Sequence, residues 1–318
     1  MLAATAVRCS PEDPLAGLEV AQRPEPVAPP GWEVIEVLAA GLNHHDLWTL
    51  RGVGIDPDRL PIVLGCEAAG VTADGREVVV YPMVADDRGP RGFSVLSEHF
   101  DGTHAERVAV PSSCLVPKPR SLTFEQAACL PVAWLTAYRM LFVRSGLRPG
   151  QRVLVQGAGG GVSTALILLA RAAGLHVTVT SRSPDKLAAA LELGAHEGVA
   201  AGERLARRVH GVMETVGAAT WGHSLRSVVD DGVIVCSGAT SGPAPSADLQ
   251  HVFFRQLRIV GSTMGTREEL TDMLALLDTS GVRPPIDTVL PLSEASQAYG
   301  RMAEGALFGK LVLAPQGV

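Results

Sequence analysis

The alternation of hydrophobic and polar residues changes in character along the chain, and the change comes after Pro119. Before it, short runs of alternating apolar and polar residues are separated by turns rich in Pro, Gly and Asp, which is the pattern of β-strands. The clearest of these runs are Trp32–Leu38, Glu77–Tyr81 and Ala105–Val110. Residues 1–121 are therefore predicted to form a β-rich domain.

Beyond residue 121, strand-like apolar runs alternate with segments of helical spacing, which indicates a parallel sheet covered by helices on both faces. Thr123, with Gln126 three residues later, predicts one helix N-terminus, and Ser183 before Pro184 predicts another. The first of these helices is expected to run to about residue 145, with a break near Pro131. Further strands are predicted at 211–216, 233–236 and 257–261, and further helices at 220–230 and 267–280.

Short strand-like runs return near the C-terminus, at Asp287–Leu290 and Lys310–Leu313. We expect them to rejoin the β-rich domain, which would make that domain discontinuous. The predicted domains are residues 1–121 with 284–318, and residues 122–283. The predicted fold class is α/β, with a β-rich domain and a doubly wound parallel-sheet domain.

A glycine turn lies inside the most regular stretch, residues 152–186, which reads as strand, turn, helix, strand. Glycines there let the backbone approach a pyrophosphate held at the helix N-terminus. The motif is imperfect because Ser163 stands where the last glycine is expected, so a simple strand–helix turn is the alternative. The βαβ context favours a nucleotide site. The predicted cofactor-binding residues of this turn are Gly159, Gly160, Gly161 and Val162.

The end of the second strand of this unit bears on which nucleotide binds. An NAD site usually has Asp or Glu there for the ribose hydroxyl, whereas this chain has Ser181 followed by Arg182, with Lys186 beyond. A hydroxyl leaves room for a 2′-phosphate, and the two cations would attract it. NADP is therefore predicted over NAD, the alternative being that both cations are ordinary surface charges.

Composition excludes several classes of protein. The formal net charge of the 318 residues is −6, which argues against a nucleic-acid partner. The five cysteines are scattered singly, and no apolar segment is long enough for a signal peptide or a membrane span, so we expect a cytoplasmic protein. Phe253 and Phe254 are expected in the core because large aromatic side chains usually bury there, with ring stacking as the alternative.

Several motifs in order resemble the medium-chain dehydrogenase/reductases, on the zinc-independent quinone oxidoreductase and alcohol dehydrogenase-like side. The motifs are Ala40–Trp48, Leu64–Gly70, Asp101–Glu106, the glycine loop, Glu214–Gly217, Gly238–Gly242, Gly261–Gly265 and Phe308–Lys310. The resemblance implies a GroES-like catalytic domain, a Rossmann domain, a nicotinamide cofactor in the cleft between them, and a homodimer or homotetramer.

The resemblance also bears on zinc. Zinc-dependent relatives hold the catalytic ion through a Cys, a His and a further Cys or Asp, and the matching positions here are Asn43, Cys66 and Val132. Only Cys66 is a good ligand, with Glu67, His44 and His45 as irregular candidates, and because a catalytic zinc needs three protein ligands, no metal is predicted. Cys66 is then a small residue in the cleft, with a redox-sensitive thiol as the alternative.

Without a metal, hydrogen-bond donors and a proton source must serve the chemistry. Asn43 and His45 are the predicted catalytic residues, Asn43 as a donor to a substrate carbonyl and His45 at the place of the relatives' proton relay. The alternative is that His44 and His45 are simply polar loop residues. By resemblance, His44 and Lys310 would reach the cofactor phosphates, with a surface lysine as the alternative for Lys310. Gly238, Ala239 and Thr240 would let the nicotinamide ring pack closely.

These expectations combine into an NADPH-dependent, zinc-independent oxidoreductase that reduces a quinone or an α,β-unsaturated carbonyl. One alternative is an NADP-dependent alcohol dehydrogenase or ketone reductase. The other is a protein that binds NADPH without turnover, as a sensor or structural protein, because a fold does not determine a function.

Overall fold

The chain folds into two compact units, seen here in a computed structural model that describes residues 1–89 and 92–315. The first unit comprises Met1–Val132, Leu270–Asp278 and the segment from Arg283 onward, and the second comprises Ala133–Glu269 and Thr279–Val282. Residues 316–318, which belong to the predicted first domain, lie outside the described residues, as do residues 90–91.

The strands and helices are numbered in chain order. The strands are β1 (Leu2–Ala6), β2 (Leu18–Gln22), β3 (Trp32–Gly41), β4 (Ile62–Val63), β5 (Ala68–Thr72), β6 (Glu77–Val80), β7 (Met83–Ala85), β8 (Phe93–Val95), β9 (Arg107–Pro111), β10 (Leu115–Pro117), β11 (Arg152–Val155), β12 (His176–Ser181), β13 (Glu197–Ala200), β14 (Val209–Glu214), β15 (Val228–Cys236), β16 (Arg258–Gly261), β17 (Ile286–Pro291) and β18 (Lys310–Ala314). The helices are α1 (His44–Leu50), α2 (Phe124–Ala128), α3 (Leu135–Tyr138), α4 (Gly161–Ala172), α5 (Pro184–Leu193), α6 (Ala218–Ser227), α7 (Leu249–Phe254), α8 (Arg267–Ser280) and α9 (Ala295–Glu304).

The first unit is built on a mostly antiparallel sheet in the order β10-β6-β5-β3-β18-β17, with β9 also pairing with β3. Its long strand β3 pairs with β9 through its first half, and Ala40 and Gly41 at its end pair with Leu313 and Val312 of β18. A smaller sheet has the order β2-β1-β4, and β7 pairs with β8. The C-terminal strand β18 therefore lies beside the residues that precede α1, which positions the candidate site.

The second unit contains a parallel sheet in the order β13-β12-β11-β14-β15-β16. Counted from β11, this is the strand order 3-2-1-4-5-6 of doubly wound nucleotide-binding domains. The central strands carry buried Val, Leu and Ile on both faces, as expected for a parallel sheet with helices on each side. The predicted strands at 211–216, 233–236 and 257–261 are confirmed as β14, β15 and β16, with shifted ends.

The predicted helix starts are confirmed. The Thr123 side chain accepts a hydrogen bond from the Gln126 backbone at the start of α2, and Ser183 caps α5 with Pro184 in its first turn. The stretch to residue 145 is interrupted near Pro131, as predicted, because proline has no N–H to donate to a helix. Instead of one helix, it contains α2, α3 and two π-helical segments, Leu130–Trp134 and Arg139–Arg144.

Two expectations differ from the structure. Helix α2 belongs to the first unit, where it packs against β3 and β5, so that unit extends past the predicted boundary at residue 121. The expectation of a core position for Phe253 and Phe254 is wrong, because they are 64% and 69% exposed. They lie on α7, a six-residue helix that has no buried residue. The sequence did not predict this helix.

Candidate active site

The candidate site of the first unit begins where β3 leads into α1. Asn43 has an extended backbone, and its N–H donates to Oδ2 of Asp46 over 2.8 Å, which closes the first turn of the helix. Asp46 is fully buried, His45 is partly buried and His44 is exposed. The motif expected as a loop is thus the start of a helix that is held by its own carboxylate.

Lys310 is buried beside the start of α1 and does not extend to where a cofactor phosphate was predicted. Its Nζ lies 2.7 Å from Oε1 of Glu67 and 2.8 Å from Oδ1 of Asn43, and it also donates to the Leu42 carbonyl. The side chain is 3% exposed. All three ammonium protons therefore have acceptors inside this unit, which corrects the expected phosphate contact.

The Asn43 amide is used inside the protein as well. Its Nδ2 donates to Oε1 of Glu67 over 2.8 Å, while its Oδ1 accepts from Lys310. Glu67 is fully buried, and its second oxygen accepts from the Val132 backbone N–H over 2.8 Å. Because a buried carboxylate requires donors, Glu67 takes the amide that was expected to meet a substrate carbonyl.

This network determines the charge state of its members. Desolvation alone would lower the pKa of Lys310, but the charge of Glu67 raises it above its usual value, so the side chain is an ammonium ion at neutral pH. Burial, reinforced by Asp46 and Glu67, raises the pKa of the Cys66 thiol well above its usual value. Cys66 is therefore a protonated thiol in this structure, without the thiolate character that redox-sensitive cysteines need.

His45 forms a hydrogen-bonded pair with Glu98, whose role the sequence did not indicate. The His45 Nε2 and Glu98 Oε1 atoms are 3.0 Å apart, and a carboxylate accepts, so Nε2 carries a proton. Burial would raise the pKa of Glu98, but hydrogen bonds from His45 and from the Val95 N–H lower it overall. The other ring nitrogen, Nδ1, is buried and has no hydrogen-bond partner among the described residues.

His104 and Tyr299 form a second buried pair in this unit. The His104 Nε2 donates to the Gly41 carbonyl over 3.2 Å, so Nδ1 must accept from the Tyr299 hydroxyl at 2.8 Å. Burial lowers the pKa of His104 and raises the pKa of Tyr299, so both groups are neutral. The pair joins α9 to the end of β3 and so supports the turn that leads into α1.

In the second unit, the glycine turn leads from β11 into α4. Gly159 has φ of 102°, which only glycine adopts readily, and Gly160 is the N-cap with no side-chain hydrogen bond. The first-turn N–H groups are therefore left for an outside acceptor such as a phosphate, which fits a dinucleotide. Ser163 replaces the last expected glycine by returning its hydroxyl to the Gly160 carbonyl over 2.9 Å.

The predicted selectivity residues lie at the end of β12. Ser181 is the last strand residue, and its Oγ accepts from the Ser183 N–H over 3.1 Å, which turns the chain into α5. Arg182 is exposed, and Lys186 is half-buried in the first turn of α5. No carboxylate occupies 181–183, so the strand end itself presents nothing to repel a 2′-phosphate.

The predicted Gly238, Ala239 and Thr240 form a loop after β15 that is tied to the loop after β14. The Thr240 N–H donates to the Thr215 carbonyl over 3.4 Å. A Cβ added to Gly238 would lie 2.9 Å from that same carbonyl oxygen, so the two loops touch closely there. The small residues expected beside a nicotinamide ring thus also serve the contact between the loops.

Comparison with known proteins identifies the family. Residues 29–120 match the alcohol dehydrogenase GroES-like domain, and residues 161–279 match the zinc-binding dehydrogenase domain. A zinc-type alcohol dehydrogenase-like protein of Schizosaccharomyces pombe is 32% identical over 89% of this chain and 91% of its own length. The chain is a medium-chain dehydrogenase/reductase. The predicted fold class, a GroES-like domain with a Rossmann domain, is confirmed.

Other members of the medium-chain dehydrogenase/reductases are comparably similar. A quinone oxidoreductase of Pseudomonas aeruginosa is 31% identical over 87% of this chain and 89% of its own length. The crystal structure of an NAD-dependent alcohol dehydrogenase is 34% identical, with a TM-score of 0.90 and 99% of both chains covered. The chain is therefore an oxidoreductase of this family, which uses a nicotinamide cofactor.

The residues of this chain do not provide the ligand set that zinc-dependent medium-chain dehydrogenase/reductases use. The Asn43 side chain is bonded to Glu67 and Lys310, and Val132 has no ligating atom. A different trio, His45, Asp46 and Cys66, has ligand atoms within 4.8 Å of one another. Glu98 already bonds His45, and the Asn43 N–H already bonds Asp46, so we assign no reaction step to a metal.

Sequence reasoning missed Glu98, His104 and Tyr299 as members of the site, and it considered Glu67 only as an irregular zinc ligand. A signal existed for Glu67, since an acidic residue inside the buried Gly65–Gly70 motif requires a partner. For the other three residues, the sequence contains no local signal. No helix in the described part of the chain is both long and apolar enough to cross a membrane.

Proposed function

We propose that the protein is an NADPH-dependent, zinc-independent reductase of quinones or α,β-unsaturated carbonyl compounds. The observation that carries the proposal is the pairing of Asn43 with Lys310 and Glu67, which uses the first position of the relatives' zinc site for an internal ion pair. Ser181, Arg182 and Lys186 support the choice of NADPH, because they leave room and positive charge for a 2′-phosphate.

When bound, the reduced nicotinamide supplies the hydride, and the reduced substrate then requires a proton on oxygen or carbon. His45 is the group of this chain that suits that task. Glu98 holds its Nε2–H, and Nδ1 is buried but has no partner among the described residues, so we propose that a bound substrate meets the ring at Nδ1. Glu98 would also keep the ring oriented while the proton is given up.

An acceptor screen tests this function. The purified protein would be assayed with NADPH and with NADH against 1,4-quinones, enones and saturated ketones, and its metal content would be measured by mass spectrometry. We expect steady NADPH oxidation with quinones or enones, no effect of chelators, and no stoichiometric metal. Stoichiometric zinc whose removal abolishes turnover would refute the zinc-independent mechanism, and His45, Asp46 and Cys66 would then be its first ligand candidates.

A second candidate is an alcohol dehydrogenase or ketone reductase, which the 34% identity to the NAD-dependent alcohol dehydrogenase of known structure favours. Oxidation of secondary alcohols with NAD or NADP, in the absence of quinone or enone turnover, would support it. Tight binding of NADPH with no turnover in any of these assays would instead indicate a binding protein.

A further inference from the structure

A chain of buried polar side chains lies beneath the glycine turn of the second unit, and no step of the proposed reaction uses it. At its centre is Gln156, the residue between β11 and the turn, which is 1% exposed. Gln156 Oε1 accepts from the Thr180 hydroxyl over 2.8 Å, and its Nε2 donates to Ser224 Oγ and to His223 Nδ1, each over 2.9 Å. A buried amide with its oxygen and both hydrogens used is a fixed structural element.

The direction of every bond in this chain is determined by its two ends. At one end, the Gly157 backbone N–H can only donate, and it donates to Thr180 Oγ1 over 3.2 Å. Thr180 donates its own proton to Gln156 Oε1, and this orientation of the amide is fixed from the other end. At the other end, Ser224 Oγ donates to Oε2 of Glu214 over 2.6 Å, and a carboxylate can only accept.

The hydrogen bonds of His223 determine its tautomer in the same way. Its Nδ1 accepts from Gln156, so Nε2 carries the proton and donates to the Glu203 carbonyl over 2.8 Å. The neutral ring with the proton on Nε2 is the form that satisfies both contacts. Reversal of the Gln156 amide would place N–H groups against Thr180 and leave His223 Nδ1 without a donor. The hydrogen-bonded residues Thr180, Gln156, Ser224 and Glu214, here called the relay, therefore have one consistent arrangement.

Glu214 extends the relay into the next loop. It is fully buried, and Oε1 accepts from the Val216 N–H over 2.8 Å and from the Gly217 N–H over 3.0 Å. Thr220 in the first turn of α6 also donates to it, over 2.9 Å. All of these donors are neutral, so the carboxylate depends on the positions of these groups. The loop after β14, in turn, holds the loop that contains Gly238.

The relay therefore joins the carboxyl ends of three adjacent parallel strands, β12, β11 and β14. In a doubly wound sheet this edge is where a dinucleotide lies, with the pyrophosphate at the turn after the first strand. One half of the cofactor would meet the end of β12, and the other half would meet the loops after β14 and β15. A dinucleotide must fit both halves at once, so their relative position matters.

We propose that Gln156, Thr180, Ser224 and Glu214 are positioning residues that set the distance between the two halves of the dinucleotide site. The relay does so without touching the cofactor, because its members are buried beneath the loops. The inference rests on the nicotinamide cofactor of the proposed function, and it adds that the site is aligned as one unit before the cofactor arrives.

The test uses Ser224→Ala, which removes the link between Gln156 and Glu214 and leaves the end of β12 unchanged. Affinity would be measured by fluorescence titration for the reduced dinucleotide that the unaltered protein prefers, and for its adenine half. That half is adenosine 2′,5′-bisphosphate for NADPH and AMP for NADH. We expect the dinucleotide dissociation constant to rise roughly five- to tenfold, the loss associated with one buried hydrogen bond. The dissociation constant of the adenine half should stay within twofold.

Ser227→Ala is the matched control, because Ser227 is a buried hydroxyl on the same helix. Among the described residues it bonds His223 but neither Gln156 nor Glu214. A second pair is Thr180→Val against Thr178→Val, two buried threonines of β12 of which only Thr180 belongs to the relay. The double variant Thr180→Val/Ser224→Ala should bind the dinucleotide no more weakly than the worse single variant, since either break already uncouples the loops.

The outcomes separate this inference from the proposed function. If the unaltered protein binds neither NADPH nor NADH, the proposed function fails. If it binds one of them, but Ser224→Ala weakens dinucleotide and adenine half equally, or matches Ser227→Ala, the positioning role is refuted and the function stands. A lower unfolding temperature of Ser224→Ala with unchanged binding would likewise assign the relay to stability alone.

Discussion

Glu67 and Lys310 form a buried ion pair, with 2.7 Å between the carboxylate oxygen and the ammonium nitrogen and exposures of 0% and 3%. Removing one member of such a pair leaves a charge inside the protein without its partner, which costs about 3–5 kcal/mol. Lys310→Met should therefore lower the free energy of unfolding by about that amount, as measured by urea unfolding. Adding Glu67→Gln should restore part of the loss.

The comparison for this prediction is Arg107→Met, which breaks an exposed ion pair with Glu25 and should barely move the unfolding midpoint. Equal effects of Lys310→Met and Arg107→Met would contradict the role of the buried pair. The raised pKa of Lys310 adds a pH dependence. Its contribution is complete below the unfolded value near 10.5 and is lost as the pH rises through the higher folded value.

Because His104 is buried, we expect the first unit to lose stability at acidic pH. Burial lowers the pKa of His104 below its unfolded value of about 6.5, so the unfolded chain binds the proton more readily than the folded one. The stability of the first unit should therefore fall as the pH drops below about 6.5. His104→Gln should flatten the pH profile of the urea midpoint between pH 7.5 and 5, whereas His251→Gln, a partly exposed control, should leave its slope intact.

Substitutions of the adjacent residues His44 and His45 should change different quantities, kcat for His45 and cofactor affinity for His44. His45→Gln should lower kcat on the order of a hundredfold, the usual size of a general acid–base contribution, with little change in cofactor affinity. Glu98→Gln should lower kcat by a smaller factor, because Glu98 holds the His45 ring through a hydrogen bond. His44→Gln is the matched partner, and we expect it to weaken cofactor binding with kcat nearly unchanged. A normal kcat in His45→Gln would remove His45 from the mechanism.

The end of β12 predicts the cofactor preference. Arg182→Ala and Lys186→Ala should each raise KM for NADPH several-fold, since a charge-assisted hydrogen bond to phosphate would be lost, and leave KM for NADH unchanged. Ser181→Asp should shift the preference towards NADH by supplying the carboxylate of NAD sites. Arg148→Ala removes an exposed charge before β11 and should change neither value. Higher kcat/KM with NADH than with NADPH in the unaltered protein would overturn the assignment.

What the sequence could predict was local. The glycine turn, the Thr123 and Ser183 caps and the parallel strands follow from signals within a few residues, and all are present in the structure. The interactions of the first unit could not be read this way. Lys310 meets Asn43 across 267 residues, and His45 meets Glu98 across 53, so their contacts depend on strand order.

The same limit explains the exposed phenylalanines. Phe253 and Phe254 follow no strand or helix period that would show which face they occupy, so average burial suggested the core. In the structure they lie on α7, and their rings are 4.7 Å apart at the surface. Single exposed apolar residues need no explanation, but a contiguous exposed apolar patch marks an interaction site.

The open edge of the second unit's sheet predicts how the expected homo-oligomer forms. In the described residues, β16 pairs only with β15, so its other side has unused N–H and C=O groups. Ile259 on this strand is 45% exposed, and Leu249, Phe253 and Phe254 of α7 are more exposed still. An uncovered strand edge with apolar neighbours suits a second copy that extends the sheet.

Phe253→Ser/Phe254→Ser with Ile259→Lys should therefore convert a dimer or tetramer into a smaller species in analytical ultracentrifugation. Val27→Ser/Val53→Lys, which alters exposed valines of the first unit, should not. An unchanged sedimentation coefficient in the first variant would place the subunit contact elsewhere.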